Sequence, residues 1–233
     1  MSAPLTESLK RSPLSLHDSP DYWGLAWEAL AWLEENVQEG MSTLETGAGA
    51  STMVFAARGA RHLVITPDAE EERRIRAECE ERGIDTSNVT FHIGRSHEIL
   101  PELDVRELEL VLVDGAHGFP YPILDWWYLA PRLKKDGRML LDDAYLPGIA
   151  SIVDYARASE SWQLEAPISF RTACIRKLRD GDPPNEADAK AAHGRMRFAY
   201  LPPGRRVVAS ARTRVFSTRA GIWLVRKLRG PQA

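Results

Sequence analysis

Five short apolar runs, each stopping at a polar or glycine-containing turn, most constrain how this chain can fold. The first ends at Leu44, and the others are 61–65 (RHLVI), 88–93 (NVTFHI), 109–113 (ELVLV) and 138–141 (RMLL). Between them lie helix-like stretches at 52–58, 69–82, 96–100 and 123–133. Strands alternating with helices over short connections predict an α/β fold, a doubly wound, mostly parallel sheet covered by helices on both faces. Ligands of such sheets collect at the carboxyl ends of the strands, near the point where strand order reverses.

The flanks extend this pattern. Residues 21–38 read as a helix with Trp23, Trp27, Leu30 and Ala31 on one face and Gly40 just past its end. The first 20 residues, rich in Ser and Pro, read as an arm. Residues 149–159 read as a helix and 162–178 as two closing strands, which makes seven. The turn-rich 179–184 (RDGDPP) precedes a polar stretch, and 196–228 reads as a further small set of strands. The expected division is an N-terminal arm and helix (1–40), a central domain (41–180) and a C-terminal extension (181–233).

Charge is unevenly spread. Residues 1–170 carry 15 Lys and Arg against 29 Asp and Glu, whereas 171–233 carry 15 against 4. The basic extension scatters Arg among Val, Phe and Ala, a spacing that suits half-buried strands better than a nucleic-acid tail. The acidic body opposes a nucleic-acid partner electrostatically. No apolar run reaches the length of a membrane span, and the N-terminus lacks the apolar core of a secretory signal, which points to the cytoplasm and to no membrane partner. Cys79 and Cys174 are too few for a disulfide framework or a cysteine zinc site. The tryptophan-rich first helix and the charge split make a homodimer reasonable.

The candidate site starts at the first strand end, MSTLETGAGAST (41–52). There the acid Glu45 and the spaced glycines Gly47 and Gly49 lead through Ser51 and Thr52 into a helix. Glycines at such a turn let the backbone pass close to a ligand. No Lys follows them, which argues against a P-loop; Thr52 stands where a dinucleotide fingerprint needs its third glycine, which demotes NAD. Further acids punctuate the other strand ends. Asp68 follows strand two after Thr66 and Pro67, and is either a ribose ligand or the N-cap of the next helix. Asp114 ends strand four in VLVDGAHGFPYPI, with His117 three residues on as a candidate base. Asp142 and Asp143 follow strand five; two adjacent acids on extended chain point to different sides, so one faces the cleft while the other caps or turns. With Asp114 they offer oxygen ligands for a hard cation such as Mg²⁺, or, without a metal, hydrogen bonds alone.

The order ETGAGAST, RHLVITPD, NVTFHIGRS, VLVDGAHG and LLDDAY resembles class I S-adenosylmethionine-dependent methyltransferases, in particular the small O-methyltransferase-like branch with a DGxH turn. The likeness covers roughly 41–147, and the fold it implies is Rossmann-like. It implies that Glu45, Gly47, Gly49, Ser51 and Thr52 lie at the methionine end of S-adenosyl-L-methionine, Asp68 at its ribose and Ser96 beside its adenine. Asp114 would stand near the sulfonium or a metal, and Asp114, Asp142 and Asp143 would hold Mg²⁺ where one is used. Thr66 and Arg95 depart from the pattern, since such proteins often carry acids there. The absence of an Asn-Pro-Pro-aromatic tetrapeptide after strand four favours oxygen over nitrogen as acceptor. The expected function is methylation of a hydroxyl on a small molecule such as a sugar, a phenol or a natural product. Tyr121, Trp126, Trp127 and Tyr128 would either line an aromatic pocket or pack the core. The alternative is a degenerate methyltransferase fold that serves as a binding or assembly module.

Overall fold

The computed structural model describes residues 4–11 and 24–180. Trp23, the strands expected within 196–228 and the basic extension 181–233 lie outside the described residues. The described residues belong to one compact unit, Met1–Ala192. In chain order its elements are α1 (Leu5–Arg11), α2 (Trp27–Asn36), β1 (Ser42–Thr46), α3 (Ala50–Ala57), β2 (Arg61–Thr66), α4 (Ala69–Glu81) and β3 (Val89–Ile93). They continue as α5 (Ser96–Ile99), β4 (Leu108–Val113), α6 (Tyr121–Leu129), β5 (Leu133–Leu141), α7 (Pro147–Ala158), β6 (Trp162–Leu164) and β7 (Ala173–Lys177).

The seven strands form one open sheet in the order β3-β2-β1-β4-β5-β7-β6. β1 to β5 run parallel, and β7 and β6 close the edge antiparallel. β1 sits between β2 and β4, so the strand order reverses at its carboxyl end, where such sheets take their ligands.

Alternate residues of the central strands feed two cores. Leu44, Val111, Val113, Met139 and Leu141 pack with Trp126 and Leu129 of α6 and Ile149 and Ile152 of α7. Leu110, Leu112 and Leu140 pack on the other face with Ala29, Leu30 and Leu33 of α2 and Val54 and Phe55 of α3. Burial on both faces is why these strands read as unbroken apolar runs. Lys177, although on the closing strand, is buried because its ammonium donates to the carbonyls of Ala130 (3.0 Å) and Leu133 (2.5 Å).

Several boundaries differ from the sequence reading, and the helix expected over 21–38 spans only Trp27–Asn36. The expected N-terminal arm contains α1, whose first amides, at Leu5 and Thr6, donate to the Glu34 carboxylate of α2 (2.5 and 3.0 Å). Such a cap, 29 residues away, leaves no local signature. α6 ends at Leu129, four residues early, because Pro131 follows and the Arg132 guanidinium turns to the carbonyls of Tyr128, Leu100 and Leu103. β5 starts at Leu133, before the apolar run, and breaks register with β4 around Asp136 and Gly137, with Asp136 at φ +65°.

Both cysteines are buried and free, as expected, and burial pushes the Cys79 thiol up to about 11. Among the described residues no helix is long and apolar enough to cross a membrane.

Candidate active site

The switch point carries a cleft of about 700 Å³. Its walls come from the ends of four strands: Thr46, Gly47 and Ala48 after β1, Thr66 to Asp68 after β2, Arg95 to His97 after β3, and Asp114 to Gly118 after β4. Glu71 of α4 and Tyr121 of α6 complete it.

Gly47 makes the first turn possible. Its φ is +88°, and a Cβ there would stand 2.9 Å from the carbonyl carbon of Asp114 and closer still to the oxygen. The turn is pinned between its neighbours, with Gly47 N–H donating to Ile65 O (2.9 Å) and Asp114 N–H to Thr46 O (3.0 Å). Thr46 Oγ1 is buried on the cleft wall and makes no hydrogen bond of good geometry. Gly49, the N-cap of α3, has extended backbone (φ 169°), so its conformation does not demand glycine.

Glu45, Ser51 and Thr52 are buried outside the cleft lining. Glu45 pairs in register with Leu112 of β4, so it shares that residue's sheet face, the one packed against α3. There the Thr52 hydroxyl donates to its carboxylate, and His62 Nε2 lies 3.1 Å away. Thr52 Oγ1 also accepts from Gly49 N–H (3.1 Å), while His62 Nδ1 bonds the Thr43 hydroxyl (2.8 Å) and its ring stacks on Phe55. The acid thus braces the glycine turn from beneath.

Asp68 lines the cleft as the N-cap of α4. Its Oδ1 accepts from Glu70 N–H (2.8 Å) and its Oδ2 pairs with Arg74 (3.1 Å). The carboxylate at the end of β2 comes instead from Glu71, whose Oε2 accepts from the Thr66 hydroxyl at 2.5 Å. The sequence reading overlooked Glu71 because it lies in a run of charged helix residues; only the turn of α4 brings it back to the strand end. Asp125 was missed as well, although an acid in the apolar YPILDWWYL was a signal. It is 1% exposed. Burial raises its carboxyl above the usual range, with the hydroxyls of Ser96 and Thr46 opposing. Trp126 belongs to the core against Tyr155, and Tyr121 reaches the cleft beside His97.

Asp114 and His117 lie side by side at the end of β4. His117 Nε2 lies 3.8 Å from Asp114 Oδ1 and 3.6 Å from Asp143 Oδ2. Burial holds the Asp114 carboxyl well above the usual carboxylate range, reinforced by the negative charges of Asp142 and Glu45 and opposed by Arg171.

The proposed metal ligands do not fit a cation. Asp142 is fully buried, with Oδ1 accepting from the Thr172 hydroxyl (2.6 Å) and Oδ2 from the Arg171 guanidinium (2.7 Å). The same guanidinium nitrogen lies 2.9 Å from Asp143 Oδ1. Nor do the adjacent acids diverge as extended chain would have them. Asp143 adopts φ +48°, and both carboxylates converge on Arg171. Among the described residues no group of three or more His, Cys, Asp and Glu is placed to hold a metal.

Residues 44–144 match a family described as a methyltransferase domain. No curated protein matches the chain. Among solved structures, it is similar to the O-methyltransferase TomG of Streptomyces achromogenes, involved in tomaymycin synthesis and solved in complex with S-adenosylmethionine. The two are 15% identical with a TM-score of 0.59, over 78% of this chain and 92% of that one. A methyltransferase from Geobacter sulfurreducens is 12% identical with a TM-score of 0.58, over 76% and 90% of the two chains. The family match over 44–144 falls on the strands and the glycine turn that form the switch point, and the sheet shares the Rossmann-like fold of these solved methyltransferases.

Proposed function

We propose that this chain transfers a methyl group from S-adenosylmethionine to a hydroxyl oxygen of a small molecule. The observation that carries this reading is the single cleft with a glycine turn on one wall and Asp114 with His117 on the other. The likeness to TomG, an O-methyltransferase that binds this cofactor, supports it.

The cleft's own chemistry fits the cofactor. A Cβ at Gly47 would fill the cradle. Gly47 and Ala48 would receive the methionine end, Thr66 with Glu71 and Asp68 the ribose, and Arg95 and Ser96 the adenine. The cofactor, when bound, supplies an electrophilic methyl on sulfur. Binding both partners in one cleft lets orientation contribute a large share of the acceleration. Asp114, with its raised carboxyl pKa, and His117 stand where the acceptor's hydroxyl proton must go.

The acids expected at Thr66 and Arg95 are missing, which motivated the alternative of a non-catalytic module. Glu71 weakens that alternative, because it brings a carboxylate to Thr66 from the helix. A thermal-shift titration with S-adenosylmethionine and S-adenosylhomocysteine tests the reading. Stabilisation by both, followed by transfer of labelled methyl to a panel of phenols, sugars and polyketide-like alcohols, is expected. The absence of any shift at millimolar ligand would sink it.

A further inference from the structure

We infer that Arg171 is a resident cation standing where a divalent metal would otherwise bind, so that the acid cluster at the end of β5 is closed to metal ions. The inference deepens the methyl-transfer reading, but its central test needs neither cofactor nor acceptor.

The arrangement is built rather than incidental. Asp142 directly follows β5 with no exposed surface, and both its oxygens are engaged, one by Thr172 Oγ1 at 2.6 Å and one by Arg171 at 2.7 Å. Asp143 turns its Oδ1 to the same guanidinium nitrogen at 2.9 Å. To do so its backbone enters the left-handed region at φ +48°, which non-glycine residues seldom adopt and which surrounding structure must enforce.

Arg171 itself is positioned from two sides. Its carbonyl accepts from Ala144 N–H at 2.7 Å, tying the loop to the residue just after the two acids. Behind it, Ser169 Oγ accepts from the backbone amides of Arg171 (3.2 Å) and Thr172 (3.0 Å) and bonds Thr172 Oγ1 (3.0 Å). β7 then pairs with β5 in antiparallel register, Ala173 opposite Leu141, so the guanidinium is delivered by the strand next to the acids.

A hard divalent ion needs about six oxygen ligands, and Asp142, with one oxygen held by a hydroxyl and the other by a guanidinium whose charge repels a second cation, is poorly placed to supply them. Asp114 and His117 border this cluster on the cleft side, with His117 Nε2 3.6 Å from Asp143 Oδ2. Arg171 thus acts as a positioning residue. It neutralises two acids beside the reacting groups, with a charge that cannot dissociate.

The test is a Mn²⁺ titration followed by the electron paramagnetic resonance signal of the free ion, on the wild-type chain, Arg171→Ala and Arg171→Ala/Asp142→Asn. Wild type is expected to leave Mn²⁺ free up to about 1 mM, the weak end of oxygen-ligand sites. Arg171→Ala is expected to take up one ion per chain at least tenfold more tightly, and the double variant to lose it. Arg171→Gln, which keeps side-chain length without charge, is measured alongside in case the alanine variant does not fold. Mn²⁺ uptake by wild type that Asp142→Asn abolishes would overturn the inference. So would folded Arg171 variants that bind no better than wild type, since the vacated acids would then not be a cation site. Failure of methyl transfer itself would show separately, as the missing thermal shift described above.

Discussion

Replacing Gly47 by Ala should unfold the turn that the candidate site rests on, and Gly40 provides an internal control for the reason. Both glycines have positive φ, +76° at Gly40 and +88° at Gly47, so alanine at either incurs a conformational cost of about 1–2 kcal/mol. They differ in surroundings. A Cβ at Gly40 meets nothing within 4 Å, whereas at Gly47 the Asp114 backbone must retreat from 2.9 Å to beyond 3.4 Å. That carbonyl cannot rotate away like a side chain. It belongs to the β4 end, which is held against β1 by the Asp114 N–H to Thr46 O bond. Backbone displacement there adds a further cost of about 1–3 kcal/mol, so Gly47→Ala should lose roughly 2–5 kcal/mol in all. For a unit of this size that is a fall in Tm of about 4–20 °C, against about 2–8 °C for Gly40→Ala. Urea titrations of the three proteins measure the difference, and calorimetric titration with S-adenosylmethionine measures its effect on binding. Equal losses for the two variants would refute the close-approach argument, because only the shared dihedral cost would then be present. Normal cofactor affinity in a folded Gly47→Ala would remove the turn from the binding site.

Glu71→Gln should weaken S-adenosylmethionine binding about tenfold or more, as expected when a charged hydrogen-bond partner is removed, while Asp68→Ala should mainly cost about 1 kcal/mol through the lost helix cap. The reverse ranking in calorimetric titration would make Asp68, rather than Glu71, the main ribose ligand. Asp114→Asn should stabilise the fold at neutral pH. The raised folded-state pKa means the fold binds this proton more tightly than the unfolded chain does, so wild type loses stability as pH rises from about 3.8 through the raised value. The advantage of Asn should therefore close as pH falls toward 3.8, whereas a constant difference across urea titrations at several pH values would contradict this. The same variant should lose most methyl transfer if Asp114 takes the acceptor proton. Glu45→Ala should cost about 2–4 kcal/mol by stranding the Thr52 hydroxyl and His62 Nε2 in the core, seen as a lower urea midpoint.

The fold was legible because its signals are local. A strand buried on both faces is mostly apolar, and the runs ending at Ile65, Val113 and Leu141 announce this without any partner, whereas β1 is buried with Thr43, Glu45 and Thr46 in it. The glycine turn was legible for the same reason, since φ and close approach select glycine at a single position. The site was harder to read, because side-chain direction depends on which face a strand presents. Glu45 has the right residue type at the right strand end, yet its register with Leu112 turns it toward α3 and away from the cleft.

What the sequence determined by itself was the alternation of elements, the carboxyl-end placement of Asp114 and His117 and the need for glycine at Gly47. The tertiary structure alone decided who neutralises whom. Glu71 reaches Thr66 through a turn of helix, and Glu34 caps a helix 29 residues before it. Arg171, in the loop just before β7, closes the acids that sequence offered to a metal. Charges act through space over a few ångströms, and no spacing along the chain records which strand will lie beside another.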